Sequence, residues 1–167
     1  MIILGIDPGY AIVGYGVVSY INNNFKPVTY GAVTTPAGME FSDRLNIIYN
    51  DISRIINDTK PEAVSIEKLF FNTNTTTAID VAQARGVILL AAKHNNIPVY
   101  EYTPLQVKQA VTGYGRAEKH QIIEMTKSLL NIPKAPKPDD TADALALAIC
   151  HAHTQGSLLN KLKGMRW

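Results

Sequence analysis

Apolar and polar positions change their period several times along the chain, and these changes divide it into elements. Residues Ile2–Asp7 read IILGID, five apolar or glycine positions closed by a carboxylate, after which Pro8-Gly9 turns the chain. Ile12–Tyr20 and Phe25–Thr34 are also strand-like and are separated by the turn-forming stretch NNNF, so the first 34 residues predict an antiparallel meander. From Met39 to Asn57 the residues Phe41, Leu45, Ile48, Ile52, Ile55 and Ile56 recur every three or four positions, which predicts an amphipathic helix. A short strand at Glu62–Glu67, a long helix at Asn74–His94 and a fifth strand at Ile97–Tyr102 follow. Three more helices are expected at Leu105–Val111, Lys119–Leu130 and Asp140–His153. A helix between two strands favours a right-handed crossover, so the fourth strand should run parallel to an earlier one. The expected fold class is α/β, a five-stranded mixed sheet with an antiparallel meander plus two parallel strands, flanked by helices. One domain over residues 1–167 accounts for the length.

Composition supports a packed domain, with 46% hydrophobic and 18% charged residues, rather than a disordered segment. The longest uncharged apolar run, GVILLAA at Gly86–Ala92, is far short of the roughly 20 residues that a membrane span needs. No basic-then-apolar leader is read at the amino terminus, so a cytoplasmic protein with no membrane contact is expected. Cys150 has no intrachain partner and reads as a buried helical thiol; His151 and His153, two apart on a helix, are awkwardly spaced to share a metal. Net charge is only +2, but it is uneven: residues 1–84 hold five Lys/Arg against eight Asp/Glu, and residues 85–167 hold eleven against six. That asymmetry suits a polyanionic partner.

The chemistry resides in acids at element ends. Asp7 closes a strand that reads as buried, and an ionised carboxylate there requires a cation, although an Asx turn into Pro8-Gly9 is an alternative use for it. Glu67 ends the fourth strand. If that strand lies beside the first, the two carboxylates leave neighbouring strands roughly 4.8 Å apart, at the edge where open α/β sheets bind ligands. In PDDTADALALAICHAH, Asp140 and Asp143 are three apart at a helix start and share a face, although capping would also explain them. Three sequence-distant acidic sites facing one edge repel unless a cation joins them. Oxygen donors without a Cys/His cluster point to Mg²⁺ or Mn²⁺ rather than zinc.

This order of acids resembles the ribonuclease-H-like nucleases and integrases. More closely, GIDPG (Gly5–Gly9), IEKLFF (Ile66–Phe71), QARG (Gln83–Gly86), PLQVKQAVTGYGRAEKHQ (Pro104–Gln121) and DDTADALALAI (Asp139–Ile149) are similar to the RuvC family of Holliday junction resolvases, over nearly the whole chain. The resemblance implies a ribonuclease-H-like fold and catalytic, metal-binding carboxylates at Asp7, Glu67, Asp140 and Asp143; the spacing to Asp143 selects Asp140 over its neighbour Asp139. It implies hydrolysis of phosphodiester bonds with two Mg²⁺ ions about 3.5–4 Å apart, leaving 5′-phosphate and 3′-hydroxyl ends. It further implies four-way junction DNA as substrate, a homodimer, a RuvA/RuvB branch-migration complex as partner, and a bacterial, nucleoid-associated location. Phe70, Phe71 and Asn72 follow Glu67 in FFNTNTTT, and one phenylalanine, Phe70 by resemblance, is expected to stack on an unpaired base. Lys108 and Lys119 match basic positions near the DNA backbone, and Arg116 with Gly113 and Gly115 is expected to bind phosphate at a helix start. The tail LLNKLKGMRW is less basic than expected and should add little to DNA affinity. Thr77–His94, apolar on more than one face, is the expected dimer helix. The first strand's Gly-x-Asp also suits an ATP-binding protein of the actin and sugar-kinase type, but such proteins need a second domain and phosphate loop for which 167 residues leave no room.

Overall fold

The computed structural model describes residues 1–68 and 77–163. Five strands form one sheet: β1 (Ile2–Asp7), β2 (Ile12–Ile21), β3 (Asn24–Thr34), β4 (Ala63–Glu67) and β5 (Val99–Tyr102), in the spatial order β3-β2-β1-β4-β5. β1, β2 and β3 pair antiparallel, whereas β4 pairs parallel with β1 and β5 parallel with β4. The mixed sheet read from the sequence is therefore present, with the fourth strand beside the first.

Among the described residues there are five helices: α1 (Phe41–Thr59), α2 (Ala78–His94), α3 (Pro104–Thr112), α4 (Lys119–Leu129) and α5 (Asp139–Lys163). α1 ends where Lys60 turns into the left-handed region and returns its amide to the Ile56 carbonyl. α3 starts at Pro104, whose missing N–H costs nothing in a first turn, behind a Thr103–Gln106 capping box. α5 continues ten residues past its expected end at His153; TQGSLLNKLK contains no proline to stop it.

The period-2 alternation of the strands sorts the core into two layers. Leu4, Ile6, Val13, Val17, Val64 and Ile66 pack against Ile48, Ile52 and Ile56 of α1 and Ala84, Ile88 and Ala91 of α2. On the opposite face Ile3 and Val18 meet Leu145, Ala148 and Ile149 of α5, and Ile122 of α4 lies in the same cluster. From Thr141 to Ala152 α5 is consequently buried almost all round, and its ALALAICHA sequence provides the small and apolar surface this needs.

One contact fixes α5 on the sheet. Gly5 and Gly14 lie on the α5 side of β1 and β2, and a Cβ on Gly5 would run into the Ala144 carbonyl, one on Gly14 into the Asp140 carbonyl. The helix backbone thus rests directly on the strands where side chains would hold it off. Gly5→Ala is expected to cost at least about 1–3 kcal/mol, because the obstructing atoms are backbone. Urea unfolding should show a lower midpoint at unchanged slope; an unchanged midpoint would mean that α5 is not seated on β1 in this way.

Candidate active site

Alternation that puts Leu4 and Ile6 under α1 and α2 puts Gly5 and Asp7 under α5. In the same way Val64 and Ile66 face the first core, and Ser65 faces α5, where its hydroxyl donates to the Leu147 carbonyl at 2.7 Å. Ile6 pairs with Ile66, so the next residues, Asp7 and Glu67, leave adjacent parallel strands side by side and on the α5 face. Gly14 is the cross-strand neighbour of Asp7, and the Asp140 backbone lies on Gly14. Thr141 anchors this first turn of α5 further by donating to the Gly31 carbonyl at 3.0 Å. One turn on, Asp143 faces the same edge. The four carboxylates proposed from sequence are therefore brought together by three separate segments.

Their electrostatics show how closely they are coupled. The Asp7 carboxyl is pushed up to about 8, first by burial and then by Glu67, Asp143 and Asp140, with Lys119 opposing. Burial and Asp143 raise Glu67, against a hydrogen bond from Asp7 that favours its charged form. Burial first, and neighbouring acids second, thus push both the Asp7 and the Glu67 carboxyl toward the protonated form. Asp143 is also raised, by burial above all, although the Lys119 ammonium bonds to it at 3.1 Å. Burial pulls Lys119 down, but its hydrogen bond to Asp143 and the charges of Asp143, Asp139 and Asp140 outweigh this and hold it above its ordinary value.

Asp139 stands apart from this group. It pairs with Lys137 at 2.9 Å and with Lys119 at 3.8 Å, and these bonds keep its carboxyl below the usual range. It does not act on Asp7, whereas Asp140 does. Of the two neighbouring aspartates, Asp140 is the member of the cluster.

Among the described residues no three His, Cys, Asp or Glu side chains already form a metal cage. The Lys119 ammonium, on Asp143, provides countercharge within the cluster. The donor set nevertheless fits a hard divalent cation: four carboxylates face one ammonium, and burial together with their acidic neighbours pushes three of the four up. His151 and His153 lie elsewhere, His151 buried with its Nδ1 on the Tyr102 hydroxyl at 2.7 Å and His153 with its Nδ1 at the Ala110 carbonyl. Cys150 is buried and its thiol is pushed up to about 12 by burial, so it is not a nucleophile.

The expected DNA contacts divide. Lys108 and Lys119 line a pocket of about 210 Å³ together with Glu67 and Asp143, so both lie at the acidic edge. The position of Lys119 within the carboxylate cluster had no sequence signal, because 24 residues separate it from Asp143. Arg116 is exposed in the turn between α3 and α4. The start of α4 is not an open phosphate cradle, as the sequence suggested: Glu118 and Gln121 form a capping box there, with the Glu118 amide donating to Gln121 at 2.9 Å. A carboxylate already occupies the positive end of that helix. Phe70, Phe71 and Asn72 lie outside the described residues. Sequence reasoning also missed the Ser65 tether and the glycine face; the alternate spacing of Gly14 and Gly16, with Gly5 opposite Gly16, is the signal that could have revealed the latter.

A family model described as crossover junction endodeoxyribonuclease RuvC matches residues 3–151. A crossover junction endodeoxyribonuclease RuvC of Clostridioides difficile is 62% identical over 154 residues, 92% of this chain and 91% of the relative. One of Ruminiclostridium cellulolyticum is 58% identical over 161 residues, 95% and 97% of the two chains. Among solved structures, Thermus thermophilus RuvC superposes with a TM-score of 0.88 at 34% identity, covering 94% of this chain and 96% of that one. The same protein in complex with a Holliday junction substrate gives a TM-score of 0.87 at 32% identity, with the same coverage.

The raised Asp7 makes metal-free stability depend on pH with a definite sign. An unfolded aspartate releases its proton near pH 4, whereas folded Asp7 keeps its own to about pH 8. Across that window the unfolded chain binds fewer protons, so stability is highest at the acidic end and falls as pH rises. Asp7→Asn needs no proton and should remove the fall. In chelator, urea unfolding should find Asp7→Asn close to wild type at pH 5 and on the order of a few kcal/mol more stable at pH 8. A variant less stable than wild type at pH 8 would assign Asp7 a structural role in the Pro8-Gly9 turn.

Proposed function

The chain belongs to the RuvC family of crossover junction endodeoxyribonucleases, hydrolases acting on DNA, and from that premise we propose that its four clustered carboxylates carry out metal-dependent, symmetric resolution of Holliday junctions in recombination and repair. The observation that carries this reading is the convergence of Asp7, Glu67, Asp140 and Asp143, from two strand ends and one helix start, on one sheet edge where Asp7 feels the charge of the other three. Phosphodiester hydrolysis needs charge stabilisation around the scissile phosphate, and acids that resist ionisation alone are suited to ionise around divalent cations. Asp7, the most buried and most strongly coupled, would hold the metal together with Glu67, Asp140 and Asp143 in this reading. Bound Mg²⁺, two ions per site with Mn²⁺ as a substitute, supplies Lewis-acid stabilisation and a more acidic water. Carboxyls that are raised without metal would have to ionise to hold it, so metal affinity would rise with pH. The products are nicks with 5′-phosphate and 3′-hydroxyl ends.

In this reading the rest of the chain holds DNA. Lys108 and Lys119 flank the acids, and Lys119 exchanges its Asp143 contact for a phosphate as cation charge replaces it. Arg116 contacts backbone from the exposed α3–α4 turn, and Phe70, Phe71 and Asn72 engage unpaired bases at the crossover. The whole of residues 1–167 serves as one nuclease domain, bacterial, cytoplasmic and nucleoid-associated, working with a RuvA/RuvB branch-migration complex. Among the described residues no helix is long and apolar enough to cross a membrane.

Two symmetric cuts require two sites, which a two-fold homodimer provides. α2 supports this assignment. Ile88, Ala91 and Ala92 are buried, yet Ile79 is 67% and Leu90 48% exposed on a line that also carries Gln83 and Gly86. A Cβ on Gly86 would meet nothing within 4 Å, so a second helix has room to approach there.

Replacing the acids one at a time, as Asp7→Asn, Glu67→Gln, Asp140→Asn or Asp143→Asn, should reduce junction cleavage in Mg²⁺ about 100-fold or more, beyond the roughly 10–100-fold cost of losing an outer-shell partner. Gel-shift affinity for a four-way junction in chelator should remain close to wild type; cleavage retained in all four variants would end the assignment. Leu90→Asp, outward-facing where Leu89 packs on the core, should give a folded monomer that nicks but seldom resolves. Sedimentation with circular dichroism checks this, and a wild type that is monomeric at micromolar concentration and on junction DNA removes the dimer.

A further inference from the structure

The acidic edge has a second side, and one cation on it has no acid. On the α5 side Lys108 and Lys119 stand beside Glu67 and Asp143. On the α1–α2 side the turn after β1 carries Tyr10, which packs on the first core layer, and the first turn of α1 carries Arg44. The Arg44 guanidinium lies over the Tyr10 ring, 4.6 Å from its centroid, and its Nε–H donates to the Thr35 hydroxyl at 2.8 Å. That hydroxyl donates in turn to the Tyr10 carbonyl at 2.7 Å, and the Thr35 amide donates to the Ala11 carbonyl at 2.9 Å. One guanidinium thus ties α1, the end of β3 and the β1–β2 turn together, and its position and plane are fixed before anything binds.

A tie of this kind needs a donor but not a charge. Arg85, half-buried like Arg44, has Glu101 as its acid. Among the described residues Arg44 has none: Glu40, four positions before it, accepts from Ser42 at 3.0 Å, and the Arg44 Nη groups are left without a protein acceptor. A delocalised cation that is stacked on a ring, pinned through one N–H and free at the others is built for an oxyanion, because little freedom remains to be lost on binding.

We propose that Arg44 is a phosphate site of the nuclease, taking a backbone phosphate of the cleaved strand close to the scissile one, on the side of the acids away from Lys108 and Lys119. Tyr10 stands three residues beyond Asp7, so no more than about 11 Å separates them along the chain. A strand seated at Asp7 therefore reaches Arg44 within its neighbouring nucleotides. The ligand is a phosphate of that strand and not the carboxylate of a protein partner, because Arg44 stands on the edge the strand must cross. Four carboxylates repel a polyanion, and cations on both flanks hold it across them, placing the scissile phosphate between two fixed points. Through Thr35 and the Tyr10 carbonyl the same guanidinium also steadies the turn that follows Asp7, so phosphate and acid share one support.

The proposal rests on the junction-cleaving reading above, and the experiment keeps their failures apart. Full-length wild type, Arg44→Gln and Arg44→Lys are titrated by gel shift in chelator with four-way junctions in which one phosphate at a time around the cleavage point is an uncharged methylphosphonate. Wild type should lose about tenfold in affinity at one phosphate besides those that the lysines serve, the scale of a hydrogen bond to a charged group. Arg44→Gln should lose about tenfold on the unmodified junction and nothing further when that phosphate is neutral, while staying as sensitive as wild type at the other positions. Its log–log salt slope should be shallower by roughly 0.9, the value of one phosphate contact on duplex DNA. Arg44→Lys keeps the charge without the stacked fork; its sensitivity at that phosphate should lie between the two and decides the matter if circular dichroism finds Arg44→Gln unfolded. A methylphosphonate profile that is the same in wild type and the folded variants makes Arg44 a structural tie alone and overturns the phosphate site, whatever the cleavage rates, while leaving the nuclease reading intact. A wild type that neither binds nor cleaves a four-way junction overturns both.

Discussion

The whole site depends on the closeness with which α5 lies on β1 and β2. Helices usually stand off a sheet by the thickness of two side-chain layers, but here Gly5 and Gly14 remove one layer and the helix backbone rests on the strands. That distance sets the reach of Asp140 and Asp143 toward Asp7. Aspartate is too short a side chain to bridge an ordinary helix–sheet gap, so the glycines are as necessary to the cluster as the acids are. Ser65 and Thr141 hold the helix in register once it is seated, each spending a hydroxyl on a backbone carbonyl across the interface.

Bringing four acids together opposes folding. Asp7 keeps a proton to about pH 8 because burial and its neighbours make the charged form expensive, and Lys119 lends its charge to Asp143 for the same reason. Such a site is least stable in the ionisation state that its chemistry requires. The two hydrophobic layers, one under α1 and α2 and the other under α5, provide the opposing stabilisation. This is the usual relation between a strained functional cluster and a well-packed scaffold.

The two faces of the sheet also divide the labour. The α5 face carries the acids, the lysines and the pocket they line. The α1–α2 face carries the helix whose outward line of Ile79, Gln83, Gly86 and Leu90 suits a second copy. Arg85, bonded to Glu101 of β5, ties that helix to the strand next to β4.

Much of this was legible along the chain. Strand order, the parallel placement of β4, the helix of Phe41–Thr59 and the four carboxylates all follow from local periodicity and from acids standing at element ends, because burial imposes its period directly on the sequence. Legibility stopped where an effect depended on residues far apart. Lys119 was expected near the DNA backbone only through the family resemblance, and only the packing of α4 against α5 brought its ammonium to Asp143. The acidic cap on α4 closed a helix start that Gly113, Gly115 and Arg116 had made look open to phosphate. Leu89 and Leu90 are alike in sequence, and only their angular positions around α2 turned one inward and the other outward. The choice of Asp140 over Asp139 followed the same logic: spacing suggested it, and the lysines that claim Asp139 gave the physical reason. The sequence by itself determined which elements form and which chemistry they carry, since both are local. Which charges meet, which face is left uncovered and what lines the pocket were decided by tertiary structure alone, because each is a distance between segments that the chain does not specify until it is folded.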